Sequence, residues 1–255
     1  MRLPRGLLLG LSVAVTSALT ACASSNGRRQ PTLSAEARLQ VAEAADTAGN
    51  SELALAMYTA AAASEPSNTA LQLRCADALA RNGEVAEARQ LLAERLRTGG
   101  SQPDLVRALA LIDLMAGQPA QAIAGLNQVL ATNPGDIRAL VDKAVALDLQ
   151  GHHAEAQAIY RQVLATTPND AATKNDLAVS LMLEGRTRQA LDTLAPMENA
   201  DTAPPRLRVN LGILYAATGN AERSRQILGD RVSDGDLLAL TRALASSGAP
   251  APTLP

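Results

Sequence analysis

The sequence predicts an all-α solenoid of six 34-residue helix pairs closed by a C-terminal capping helix, and three observations carry that prediction. The first is a glycine recurring at Gly49, Gly83, Gly117, Gly151, Gly185 and Gly219, always 34 residues apart and without an insertion. The second is a set of apolar columns in step with it. Ala42, Ala76, Ala110, Ala144, Ala178 and Gly212 lie seven residues before the glycines. Ala54, Ala88, Ala122, Ala156, Ala190 and Ser224 lie five after, and Tyr58, Leu92, Leu126, Tyr160, Leu194 and Leu228 nine after. The third is composition: 47% of the 255 residues are apolar, yet there are three tyrosines, no phenylalanine and no tryptophan. A core of alanine and leucine calls for closely packed helices, because the rings that fill wider gaps are missing.

Each column has a physical role. The glycine supplies a positive φ where the first helix of a pair ends. The small residues let the two helices approach, and the large residue fills the space between successive pairs. Pro66, Pro134 and Pro168, seventeen residues after their glycines, stop the second helix by removing a donor. Gly100 takes that place in the second repeat and Thr202 in the fifth, with Pro204 and Pro205 just behind. Tyr58, Tyr160 and Tyr215 are expected in the core. The stretch "SDGDLLALTRALASS" sets Leu237, Leu238, Leu240 and Leu244 at helical spacing after Asp236, as a helix covering the open end. The predicted boundaries are a signal segment over 1–21, a tether over 22–33, the repeat domain with its capping helix over 34–247 and a disordered tail over 248–255.

These columns resemble the tetratricopeptide repeat, and the match runs over about 35–238. The resemblance implies a right-handed superhelix whose concave face is made by the first helix of each pair and is the usual place of function. It also implies aromatic residues at the tyrosine positions.

The amino terminus reads differently. Arg2 and Arg5 precede an uncharged apolar run from Gly6 to Leu19, then small residues, which is the pattern of a secretory signal peptide. The run falls short of the roughly 20 apolar residues a bilayer-spanning helix needs. Leu19, Thr20, Ala21 and Cys22 resemble the bacterial lipobox. That resemblance implies cleavage before Cys22, diacylglycerol on its sulfur and an acyl chain such as palmitate on its new amine, with an ordinary signal peptide and an incidental cysteine as the alternative. Ala23 and Ser24 follow, with no aspartate in second place, which by the same resemblance points to the periplasmic face of a Gram-negative outer membrane. "ASSNGRRQPT" has the composition of a flexible tether. The other cysteine, Cys75, falls in the column Val41, Cys75, Leu109, Lys143, Leu177, Leu211 and is expected as a small buried hydrophobe without a disulfide partner.

A net charge of −2 does not advertise a nucleic-acid partner, and the scarcity of aromatic rings removes stacking platforms for single strands. No nucleophile stands at a useful spacing from a base, and no glycine-rich phosphate loop occurs. His152 and His153 are adjacent, with Glu155 nearby, and adjacent helical residues do not face one another. They are expected in a solvated turn, so no catalytic, metal or cofactor residues are predicted.

The predicted function is partner binding on the concave face. One inward column reads Glu43, Asp77, Leu111, Val145, Val179, Ile213, and its neighbour reads Thr47, Arg81, Met115, Leu149, Leu183, Ala217. Both are polar in the first two repeats and largely apolar from the third onward. This suggests a groove for an apolar helix or extended peptide over Leu111, Met115, Val145, Leu149, Val179, Leu183 and Ile213. Arg107, Arg138 and Asn175 near its edge are candidates for backbone or carboxylate contacts. Packing of these residues against the following hairpin is the alternative.

The segments "NDLAVSLMLEGRTRQALDTLAPM" and "PPRLRVNLGILYAATGNAERSRQIL" resemble the repeat lipoprotein of tight-adherence (Flp) pilus systems, the TadD family. Asn175 and Asn210 at the repeat openings and the Pro205–Arg208 stretch carry the likeness. Membership implies a non-enzymatic, pilotin-like factor that helps an outer-membrane secretin localise or multimerise. A type IV pilus pilotin and an outer-membrane adaptor for peptidoglycan hydrolases or proteases are the other readings.

Overall fold

A computed structural model describes residues 33–100, 102–198 and 204–229, with a few positions between 233 and 242. Twelve α-helices and no strand occur among these residues. The pairs are α1 (Ala35–Thr47) with α2 (Ser51–Ser64), α3 (Thr69–Arg81) with α4 (Val85–Gly99), and α5 (Pro103–Met115) with α6 (Pro119–Thr132). They continue as α7 (Ile137–Leu149) with α8 (His153–Thr166), α9 (Ala171–Leu183) with α10 (Thr187–Leu194), and α11 (Pro205–Ala217) with α12 (Ala221–Leu228). Each helix packs on the next in the chain, and α3, α5, α7, α9 and α11 also touch one another in succession. The first helices from α3 to α11 therefore form one continuous wall, which ion pairs from Arg74 to Glu43 and from Arg81 to Asp46 link to α1.

The turn within each pair is set by the recurring glycine. All six have φ between 69° and 88°, a region open to glycine at no steric cost. The residue after each glycine then donates its N–H back across the turn, from Asn50 to the Ala45 carbonyl through to Asn220 to the Tyr215 carbonyl, at 2.8–2.9 Å. This closes the helix end and reverses the chain. A second register marks the start of every first helix, at Ser34, Asn68, Gln102, Asp136, Asp170 and Pro204. Four of these accept a backbone N–H through their side chains. Where the third and sixth repeats lack such a side-chain bond, Pro103 and Pro205 stand in the first turn instead.

The three apolar columns are the core. Their alanine, serine, tyrosine and leucine members are at most 4% exposed, and Gly212 is buried with them. Gly212 has its own reason: a Cβ there would fall inside contact distance of Leu228 Cγ. Cys75 is buried beside Thr59 and is a free thiol whose pKa burial pushes up.

Two elements depart from the expected repeat. The second helices of the first four repeats run 14 or 15 residues, but α10 has eight and passes into a 3-10 turn over Ala195–Met197. Pro196 is the cause, since it removes a helical N–H and its ring crowds the preceding turn. Tyr215 is only partly buried, unlike Tyr58 and Tyr160, and its hydroxyl donates to Glu198 at 2.8 Å. At the carboxy end, Ser233 and Asp236 exchange hydrogen bonds as at a helix start, Asp236 N donating to Ser233 Oγ at 3.1 Å. Leu237, Leu240 and Leu244 of the expected capping helix lie outside the described residues, as do 1–32 and 248–255.

Candidate partner groove on the first-helix wall

The wall divides into a charged part and an apolar part. In the first two repeats Arg81 reaches Asp46 at 3.0 Å and Asp77 at 3.0 Å, and Arg74 lies 3.3 Å from Glu43. Arg81 and the Tyr58 hydroxyl together hold the Asp46 carboxyl below its ordinary range. These groups answer one another and leave little unpaired charge.

Further along, Met115, Leu149 and Leu183 are 55%, 60% and 50% exposed. They sit one repeat apart, at the last residue of α5, α7 and α9. The column beside them, Leu111, Val145, Val179 and Ile213, is partly buried. The two columns thus behave differently: the second is the floor of the wall, and the first stands in solvent. A helix end that exposes one large apolar side chain is ordinary, whereas three in register make a ladder.

Two clefts flank the ladder. One, about 360 Å³, lies between α3 and α5 and is lined by Leu73, Asp77, Arg81, Leu111 and Met115 among others. The other, about 200 Å³, lies between α7 and α9 and is lined by Val145, Asp148, Leu149, Tyr160, Asp176, Val179 and Leu183. The apolar surface therefore begins in the second repeat, where Leu73, Ala76 and Ala80 lie beside Asp77 and Arg81. Ile213 lines neither cleft.

The polar residues expected at the edge are placed as follows. Arg107 is ion-paired with Asp142 at 2.6 Å. Asn175 is 3% exposed, accepts from Asn210 Nδ2 at 2.8 Å and donates to Asp176 at 3.4 Å. Arg138 is exposed at the start of α7, and its charge acts on Asp142. Of the three, Arg107 and Asn175 already have partners within the chain.

Three side chains of the second cleft were not anticipated there. Asp148 accepts from Ser180 at 2.6 Å and from Tyr160 at 3.1 Å, and His153 Nδ1 lies 2.8 Å from it. Burial and Asp148 push the Tyr160 hydroxyl far above its ordinary pKa. Asp176 is partly buried, and desolvation raises its pKa. A reader of the sequence could have found Asp148, which with Asp46 departs from a column otherwise reading Ala80, Leu114, Met182 and Ala216, whereas Asp176 stands in a mostly polar column that gives no such signal. His153 is not in a solvated turn as expected: its side chain is 20% exposed, while that of His152 is 53% exposed and faces Glu155 at 3.0 Å. The two rings thus serve different carboxylates.

The paired helices and their 34-residue register define a helical-repeat protein. The tetratricopeptide repeat model matches residues 47–112, 113–178 and 149–208, and a second model of the same repeat matches 205–230. The chain belongs to the tetratricopeptide repeat family, whose members are protein-interaction scaffolds. Among solved structures it is similar to PilW, a widely conserved type IV pilus biogenesis factor, at 19% identity and TM-score 0.66, over 81% of this chain and 97% of that one. It is also similar to a thermophilic tetratricopeptide protein of Thermus thermophilus, TTC0263, at 19% identity and TM-score 0.62, over 71% and 98% of the two chains. The MamA protein follows at 16% identity and TM-score 0.51, over 67% and 97%. No curated protein matches the chain as a relative.

Proposed function

We propose that this chain is a non-enzymatic, membrane-tethered scaffold that holds an apolar segment of a protein partner on its first-helix wall. The observation that carries the reading is the ladder of Met115, Leu149 and Leu183, half or more exposed and one repeat apart beside two clefts. Leaving three large apolar side chains half in water forgoes about 1 kcal/mol each, which a bound partner recovers.

The lipobox resemblance at Cys22 supplies the tether, and the tight-adherence pilus resemblance of the last two repeats supplies the setting. In this reading the protein sits at the outer membrane and helps a secretin localise or multimerise during pilus assembly. Lipid and groove divide the work: one keeps the factor at the membrane, the other grips the client. Two acyl signals hold a chain firmly where one does not, at about 0.8 kcal/mol per buried CH₂.

Deleting the gene and probing outer-membrane fractions for secretin multimers tests the setting. Loss of the multimers supports it; unchanged multimers and surface pili would sink it. Radioactive palmitate incorporated by the wild type and absent from Cys22→Ala supports the tether, and label persisting in the variant contradicts it.

A further inference from the structure

The cleft between α7 and α9 holds a carboxylate whose charge the chain answers only weakly. Asp148 accepts from Ser180 and Tyr160 and meets His153, and Asp142 is ion-paired with Arg107. Asp176 has no ion pair among the described residues and a single weak hydrogen bond. It lines the cleft with Val145, Leu149, Val179 and Leu183, and the bond it receives from Asn175 is long, at 3.4 Å. Among the described residues no arginine or lysine lies within ion-pair distance of it. Arg206 acts on it only through space, and burial outweighs that attraction, so the carboxyl lies above its ordinary pKa range. The repeat does not require an acid at this place, because the same column reads Gln40, Arg74, Ala108, Asp142, Asp176, Asn210.

We propose that the occupant of this cleft is an amphipathic peptide segment with a lysine or arginine among its apolar residues, its cation pairing with Asp176 and its apolar neighbours seated on Leu149 and Leu183. The inference rests on the reading of this wall as the partner-binding face. Charge complementarity selects the occupant: an apolar or acidic segment would bury the Asp176 carboxylate unpaired, at a cost, whereas a cation removes that cost. A long basic side chain also suits the walls, since its methylene stem packs on apolar surface while the head reaches the charge.

The test uses two fluorescein-labelled amphipathic helical peptides, identical except for one central position on the apolar face, lysine in one and norleucine in the other. Anisotropy titration against the whole chain should show the lysine peptide binding about tenfold more tightly. Asp176→Asn should erase that preference by weakening the lysine peptide and tightening the norleucine peptide, and Asp176→Ser should do the same, with circular dichroism confirming the fold of both. Equal binding of the two peptides, or a lysine preference that survives both substitutions, overturns the inference but leaves the groove standing. Binding of neither peptide overturns the groove reading as well.

Discussion

The Tyr160 hydroxyl donates to Asp148 Oδ2 at 3.1 Å, and three repeats earlier Tyr58 makes the same bond to Asp46 Oδ2 at 3.0 Å, each across 12 residues. In the other four repeats the tyrosine position holds Leu92, Leu126, Leu194 or Leu228, and the aspartate position holds Ala80, Leu114, Met182 or Ala216. The two positions change together because a buried phenol needs an acceptor and a buried carboxylate needs donors. Tyr160→Phe is expected to lower the unfolding free energy by about 0.5–1.5 kcal/mol. Tyr160→Leu combined with Asp148→Leu is expected to cost less than the sum of the two single changes, as read from urea unfolding midpoints. Strict additivity would show that the pair is not coupled.

Glycines at two kinds of position should fail for different reasons. Gly151→Ala forces a side chain into positive φ and is expected to cost about 1–2 kcal/mol. Gly212→Ala, whose new methyl meets Leu228, is expected to cost about 1–3 kcal/mol through overpacking. Leu228→Ala added to each should partly relieve the Gly212 variant and leave the Gly151 variant unrelieved. Equal behaviour of the two in thermal unfolding would contradict the separation.

The ladder residues should matter little to folding. Met115→Ser, Leu149→Ser and Leu183→Ser are expected to change stability by no more than about 0.5 kcal/mol. Leu126→Ala, in the core, is expected to cost about 2–5 kcal/mol. The same serine variants should weaken binding of the norleucine peptide. Unfolding of the serine variants would mean that the ladder is core rather than surface.

Asp176 also predicts a pH dependence. Its folded pKa lies above the ordinary value of 3.8 because of desolvation. The folded chain therefore binds this proton more tightly than the unfolded chain, and the group's contribution worsens as pH rises from the ordinary value through the raised one. Asp176→Asn is thus expected to have a higher urea midpoint than the wild type at pH 7, with the difference shrinking as the pH falls through the raised pKa and gone below the ordinary one. Asp46 runs the other way, since Arg81 lowers its pKa, and its contribution is lost as pH falls. A wild type more stable than Asp176→Asn at pH 7 would show that the carboxylate is compensated within the fold.

The repeat was legible because its signals are local and periodic: a glycine must stand where φ is positive, and small and large residues must alternate where helices meet. The eight-residue α10 was also written in the sequence, in Pro196, which breaks a column of Ala60, Glu94, Gln128 and Gln162. Pairings across repeats were harder to read. Asp113 is 4% exposed and pairs with Arg89 at 2.6 Å, although its column otherwise reads Ala45, Leu79, Leu147, Leu181, Tyr215. Spacing alone does not announce a partner on a neighbouring helix. For the same reason the two inward columns looked alike in sequence, and only burial separates the solvent-facing ladder at the helix ends from the floor beside it.

The most direct measurement places a photo-activatable benzophenone amino acid at Leu149, and separately at Gln128, which is exposed on α6 away from both clefts. Irradiation of cells making each variant is expected to give a discrete cross-linked species to one protein from position 149 and none from position 128. Cross-linking from Gln128 alone, or equal cross-linking from both, would place the partner elsewhere and contradict the groove.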